Sequence, residues 1–212
     1  SAEVHFRDDG SPEHNYAPAI GRGEGQRNRH HDQPGLTGVL LEGSRSTPIA
    51  EGQGQWCLAV PDDLTGATVM RCSRWDPSGD GAEIWKPFAA NGTIPDSNND
   101  RASRGDEQAG AALAVKVTLA PGESCEIPMV ISWDLPVTSF ASGVRDLRRY
   151  TDVFGADGNN AAAIAAEALR DWRQWRERIE AWQAPVLQRR ELPEQLRMAL
   201  FNELYDLASG GS

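Results

Sequence analysis

Leu36-Thr37-Gly38-Val39-Leu40-Leu41 and Gln55-Trp56-Cys57-Leu58-Ala59-Val60 are two apolar runs of strand length, each bounded by Gly or Pro. Three more runs follow the same rule. They are Ala67-Thr68-Val69-Met70, Ala111–Leu119 and Glu126–Trp133. Short apolar runs separated by turn residues are the signature of strands in an antiparallel arrangement. Their number and spacing predict an antiparallel β-sandwich over the first two thirds of the chain. Ala120-Pro121-Gly122-Glu123-Ser124 favours a tight turn and predicts a hairpin between the last two runs. Residues 7–35 and 91–108 are polar and carry no apolar period, so both are expected as surface loops.

The period changes after residue 156. Asp157-Gly158-Asn159-Asn160 offers N-cap chemistry. Ile164, Ala168, Trp172, Trp175, Ile179 and Trp182 then recur at steps of three or four, which predicts one buried helix face. Pro185 is expected to end that helix. A second helix is expected from Pro193, with Leu196, Leu200, Leu204 and Leu207 on its apolar side and Ser209-Gly210-Gly211 as its stop. Two helices alone cannot bury such a stripe, so the helical layer is expected to continue beyond Ser212.

Composition narrows the class. The chain has 212 residues and a formal net charge of -10, which disfavours a nucleic-acid partner because phosphate binding needs a basic face. The same balance disfavours docking on an anionic membrane surface. Cys57, Cys72 and Cys125 are too few and too widely spaced for a disulfide framework or a zinc site, and are expected as reduced, mostly buried thiols. No apolar run approaches the about 18 residues of a spanning helix, so no integral membrane segment is expected.

Several ordered blocks carry a resemblance. They begin with Ser132-Trp133-Asp134-Leu135-Pro136 and Arg148-Arg149-Tyr150-Thr151-Asp152-Val153-Phe154-Gly155. Next come Ile179–Leu187 and Leu192-Pro193, and last Ala199-Leu200-Phe201-Asn202-Glu203-Leu204-Tyr205-Asp206-Leu207 with Gly210-Gly211. Ala82–Phe88 with Asn91-Gly92 adds weaker support. In this order the blocks resemble glycoside hydrolase family 116, the bacterial β-glucosidases and non-lysosomal glucosylceramidases. Departures stand at Val153, Gln195-Leu196, Asp206 and Ser209, and they bear on the subfamily.

The resemblance implies a mixed fold, mainly β then α: an N-terminal β-sandwich followed by the first helices of an incomplete (α/α)6 toroid. Residues 1–134 would be the later part of the sandwich, 135–190 a connector with a long amphipathic helix, and 191–212 the first toroid helix. It implies a retaining hydrolase of β-glucosides or glycolipids such as glucosylceramide, working without cofactor or metal. Such an enzyme needs two carboxyl groups about 5–5.5 Å apart. In the family both lie beyond the block that ends at Gly211, so this chain is expected to hold no catalytic residue and to be inactive alone. Its partner would be the remainder of the (α/α)6 domain. The compartment is unknown, with a cytoplasmic or peripherally membrane-associated protein as the expectation.

Other residues carry weaker chemical signals. Asn202, Glu203 and Tyr205 are the candidate substrate-side residues, against a role in bonding neighbouring helices. Glu203 and Asp206 share a helix face and are the local carboxylates that could substitute for a catalytic pair. Trp133, Trp172, Trp175 and Trp182 could stack on sugars, but their spacing favours packing between domains. Asp134 with Arg145, Arg148 and Arg149 is expected to pair across the domain junction, with Asp146 or Asp152 as further partners. His30-His31 lacks metal-ligand spacing, and Gly21–Gly25 lacks the ending of a phosphate loop. A stand-alone carbohydrate-binding or interaction module and a truncated, non-catalytic scaffold are the competing readings.

Overall fold

The computed structural model describes residues 5–6, 12–13, 24–105, 107–139 and 144–202, with the side chains of 5–6, 12–13 and 202 excepted. It is mixed, with most strands in antiparallel sheets and a few helices. The strands are β1 (His5–Phe6), β2 (Pro12–Glu13), β3 (Arg27–Gln33), β4 (Leu36–Glu42), β5 (Gln55–Val60), β6 (Ala67–Trp75), β7 (Gly110–Val117), β8 (Val130–Asp134), β9 (Val137–Ser139) and β10 (Arg145–Leu147). The helices are α1 (Ala82–Asn91), α2 (Thr151–Phe154), α3 (Ala161–Leu187) and α4 (Glu194–Asn202). The chain divides into two compact units, residues 1–169 and 170–212.

In the first unit the main sheet has the order β3-β4-β5-β8, antiparallel throughout. Alternation fixes which side chains share a face. Leu36 and Leu40 of β4 and Cys57 and Ala59 of β5 point one way, and there they pack against Ala161, Ala162 and Ala165 of α3. Small alanines let the helix backbone come close, and Ser132 Oγ donates to Ala161 O at 2.7 Å. A glycine completes the fit within the sheet. A Cβ on Gly38 would lie 2.3 Å from Leu58 O, so the neighbouring strand leaves no room for one.

On the other side, β6 contacts β3 and β4, and β7 contacts β4 and β5. β6 and β7 form their own two-stranded sheet. Met70, Cys72, Ile94 and Ala114 make a second buried cluster there, with Trp75, Ile84 and Ala112 against it.

Four expectations need correcting. Arg27–Gln33 is a strand, although its polarity suggested a loop. It sits at a sheet edge, where polar side chains are tolerated, and Pro34-Gly35 with Gly35 at φ 84 makes the turn into β4. The turn at Pro121-Gly122 forms, with Glu123 N donating to Ala120 O at 3.0 Å, but its flanks do not pair as a hairpin. β7 pairs with β6 and β8 with β5. Pro128, which has no N–H to give a ladder, lies in the long link between the sheets. α3 runs through Pro185 to Leu187. Proline removes one donor, and later N–H groups still find carbonyls, as Gln188 N does at Ala184 O, 3.0 Å. The buried face of α3 is its N-terminal alanine stretch, while Trp175, Ile179 and Trp182 are exposed. Packing on the sheet core reaches as far as Leu169.

Helix α1 was carried only as a family segment, and its Gly81 and Gly92 flanks mark its ends. Gly92 closes it in a left-handed conformation, its N–H bonding Phe88 O. The stretch 91–108 is irregular as expected, yet it is pinned along β6. Ser73 N bonds Ser97 O at 3.0 Å, and Ser97 N bonds Arg71 O at 2.9 Å. Ile94 and Ser103 within it are buried. In the second unit Trp182 meets Phe201 edge to face at 5.2 Å, and Pro193 O accepts from Leu196 N at 3.0 Å, which puts the proline at the cap of α4. Cys57 and Cys72 are buried thiols and Cys125 is an exposed one.

Burial pushes the Cys57 thiol from its ordinary 9.0 up to about 12. The unfolded chain therefore releases this proton first, and stability falls as pH rises from about 9 toward 12. Urea unfolding across that range should show this slope, and Cys57→Ala should lack it whatever its starting stability.

Candidate functional site

The expected substrate-side residues fall at the edge of what the structure describes. Asn202 is the last residue of α4, its side chain outside the described residues. Glu203, Tyr205 and Asp206 also lie outside them, as do Leu204 and Leu207.

Within the first unit, the most constrained carboxylate is Asp134, the last residue of β8. It is fully buried. Such a group persists only when donors replace water. Three do so. Tyr150 Oη donates to Oδ1 at 2.8 Å, and Asn160 donates to Oδ2 through its backbone N at 2.7 Å and through Nδ2 at 3.0 Å. Burial first, then the hydrogen bond to this carboxylate and its charge, push the Tyr150 phenol upward in pKa.

Asn160 is also the residue whose carbonyl accepts from Ile164 N at 3.0 Å, which makes it the cap of α3. The cap is braced from behind. Asp157 Oδ1 accepts from Asn159 N at 3.0 Å and Asn160 Nδ2 at 2.6 Å, and Arg45 Nη1 donates to Gly158 O at 2.9 Å. Gly158 has φ 69, and a Cβ on it would lie 2.6 Å from Ile49 Cδ1.

The arginines expected to pair with Asp134 do other work. Arg145 Nη2 donates to Ile49 O at 3.0 Å, and Arg148 Nε donates to Leu135 O at 3.1 Å. A guanidinium spent on backbone carbonyls satisfies acceptors that strands leave open. With no exposure and both oxygens engaged, Asp134 cannot reach a substrate. Its chemistry is architectural: it ties the end of β8 to α2's flank and to the start of α3.

Accessible chemistry lies elsewhere in the unit. A cleft of about 350 Å³ opens beside the end of β6, between Arg74, Trp75, Asp76, Glu83 and Glu107. Arg74 is nearly buried, its Nη2 lying 2.8 Å from Glu107 Oε1. Arg101 meets the same Glu107 oxygen at 2.5 Å. Hydrogen bonds from Arg101 and then Arg74 hold the Glu107 carboxyl well below the usual range. Asp76 Oδ1 accepts from Ser78 Oγ and N at 2.6 and 2.9 Å, and Glu83 Oε1 accepts from Asp76 N at 2.8 Å. None of these residues stands out in the sequence, apart from the turn chemistry of Trp75-Asp76-Pro77-Ser78-Gly79.

Of the candidate sugar platforms, Trp133 is half exposed on the main sheet and lies against Trp56, ring centroids 5.4 Å apart and 41° between planes. The two are directly opposed across β5 and β8. His30 Nε2 lies 2.9 Å from Arg71 O and 3.0 Å from Ser97 O, so its ring is engaged with backbone carbonyls. Among the described residues no group of three His, Cys, Asp or Glu is placed to hold a metal.

Asp134→Asn would turn an amide toward donors, and unfolding free energy should fall by about 3 kcal/mol. Tyr150→Phe removes one charged hydrogen bond and should cost about 1.5 kcal/mol. Urea midpoints check both. A change below half a kcal/mol in each would remove Asp134 from its structural role.

The family model described as beta-glucosidase 2, glycosyl-hydrolase family 116 N-term, matches residues 2–175. That span holds all of the main sheet, the cleft and the Asp134 junction. The chain belongs to glycosyl-hydrolase family 116.

Proposed function

We propose that this chain is the β-rich N-terminal part of a retaining β-glucosidase, and that the carboxylate pair lies outside its 212 residues. The observation that carries the reading is the match to the family's N-terminal region, which takes in residues 2–175. The state of Asp134 supports it, because the most buried carboxylate here is consumed by the architecture. In this reading residues 1–134 are the later part of a β-sandwich, with β6 and β7 facing the main sheet. Residues 135–190 are the connector, and 191–212 begin an (α/α)6 toroid. Asn202, Glu203 and Tyr205 would stand toward the substrate from that first toroid helix. The substrate would be a β-glucoside, with glucosylceramide as a glycolipid member of the class. No helix among the described residues is long and apolar enough to cross a membrane.

Hydrolysis of an aryl β-glucoside tests this. The chain alone should release no product above the buffer rate, and a form extended by its downstream reading frame should turn over. Activity in the short chain would put the carboxylate pair within residues 1–212. Inactivity in both would contradict the glucosidase reading.

A further inference from the structure

We propose that the cleft beside the end of β6 is a saccharide-binding subsite on the β-rich unit, separate from any catalytic centre. The cleft's volume, about 350 Å³, falls in the range of small-molecule sites. Its lining decides the ligand class. The one guanidinium, Arg74, is engaged by Glu107 and by Arg101 O at 2.9 Å, so no free cation remains to attract an anion. Asp76, Glu83 and Glu107 would repel one. A metal ion is a poor fit, since no three ligating side chains converge among the described residues.

A neutral polyol fits what is left. Asp76 and Glu83 each hold the loop with one oxygen, which leaves Oδ2 and Oε2 as acceptors for hydroxyl groups. The Gln108 amide and the Ser78 hydroxyl line the same cleft and can give as well as accept.

An aromatic surface adjoins these polar groups. Trp85 is 64% exposed on α1, with Phe88 edge-on at 5.8 Å. It reaches the cleft through Gly81. A Cβ on that glycine would lie 3.3 Å from Trp85 Cδ1 and 3.7 Å from Trp75 Cζ3, so the glycine lets two indoles approach each other at the helix start. An exposed indole beside fixed acceptors suits a pyranose, which has an apolar C–H face and a hydroxyl rim. The exposed Trp56–Trp133 pair has no such polar lining and serves as the internal control.

The test is saturation-transfer NMR on the 212-residue chain with methyl β-glucoside and cellobiose at millimolar concentration, with tetramethylammonium chloride as a cationic probe. The expected result is transfer to the sugar C–H protons. Trp85→Ala and Glu83→Gln should each weaken binding about tenfold. Glu83→Gln keeps an oxygen for Asp76 N, and circular dichroism should confirm that each variant is folded. Trp56→Ala should bind like the parent. The proposal is overturned by absence of transfer from both sugars, by preference for tetramethylammonium, or by loss on Trp56→Ala with the cleft variants unaffected. None of these outcomes depends on turnover, so the subsite and the glucosidase reading stand or fall separately.

Discussion

A carboxylate removed from water must be given its hydrogen bonds by the protein, and Asp134 is that constraint here. It gathers Tyr150, from the turn before α2, and Asn160, the cap of α3, onto the end of β8. Each donor comes from a segment that has no other reason to sit there. Remove the charge and three donors lose their acceptor in a region without solvent. The close approach of the Ala161–Ala165 turn to Leu40 and Cys57 then follows, because the helix is aimed by its cap before its side chains pack. Gly54 belongs to the same arrangement: a Cβ there would lie 1.8 Å from Asp134 O, so the start of β5 and the end of β8 close on each other only over a glycine.

Much of this was legible in the sequence. β4 and β5 announce themselves by length, apolarity and bounding turns, because both are interior strands of the sheet. The start of α3 is legible in the Asp157–Asn160 cap. β3 is hidden because an edge strand is held by backbone pairing, which polar side chains do not reveal, although Pro34-Gly35 marks its turn. The false hairpin has a different cause. A turn signal fixes a reversal of the chain, and the partner of each strand is chosen by faces that must be covered. β8 carries Ser132 and Asp134 inward, where α3 supplies their partners, so it joins β5.

The site was less legible. Tyr150 and Asp134 both sit in quoted motifs, yet nothing in the spacing says that they touch. Arginines nearby suggested ion pairs, and the structure uses them on carbonyls instead. The cleft residues come from β6, α1 and the polar stretch before β7, so their convergence exists only after folding. The tryptophan stripe of α3 misled in an instructive way. Its period is that of a buried face, but burial against the sheet reaches only Leu169, and Trp175, Ile179 and Trp182 lie exposed within the second unit. Period reports which residues share a face, and says nothing of what covers it.

Native-state hydrogen exchange of the α3 amides, in the parent and in Asp134→Asn, tests most directly whether Asp134 sets the helix on the sheet. The account predicts that amides 164–169 in the parent exchange as slowly as those of β4 and β5. In the variant they should exchange far faster, while β4 and β5 keep their protection. Equal protection of 164–169 in both proteins would contradict the account, and would mean that alanine packing alone holds the helix in place.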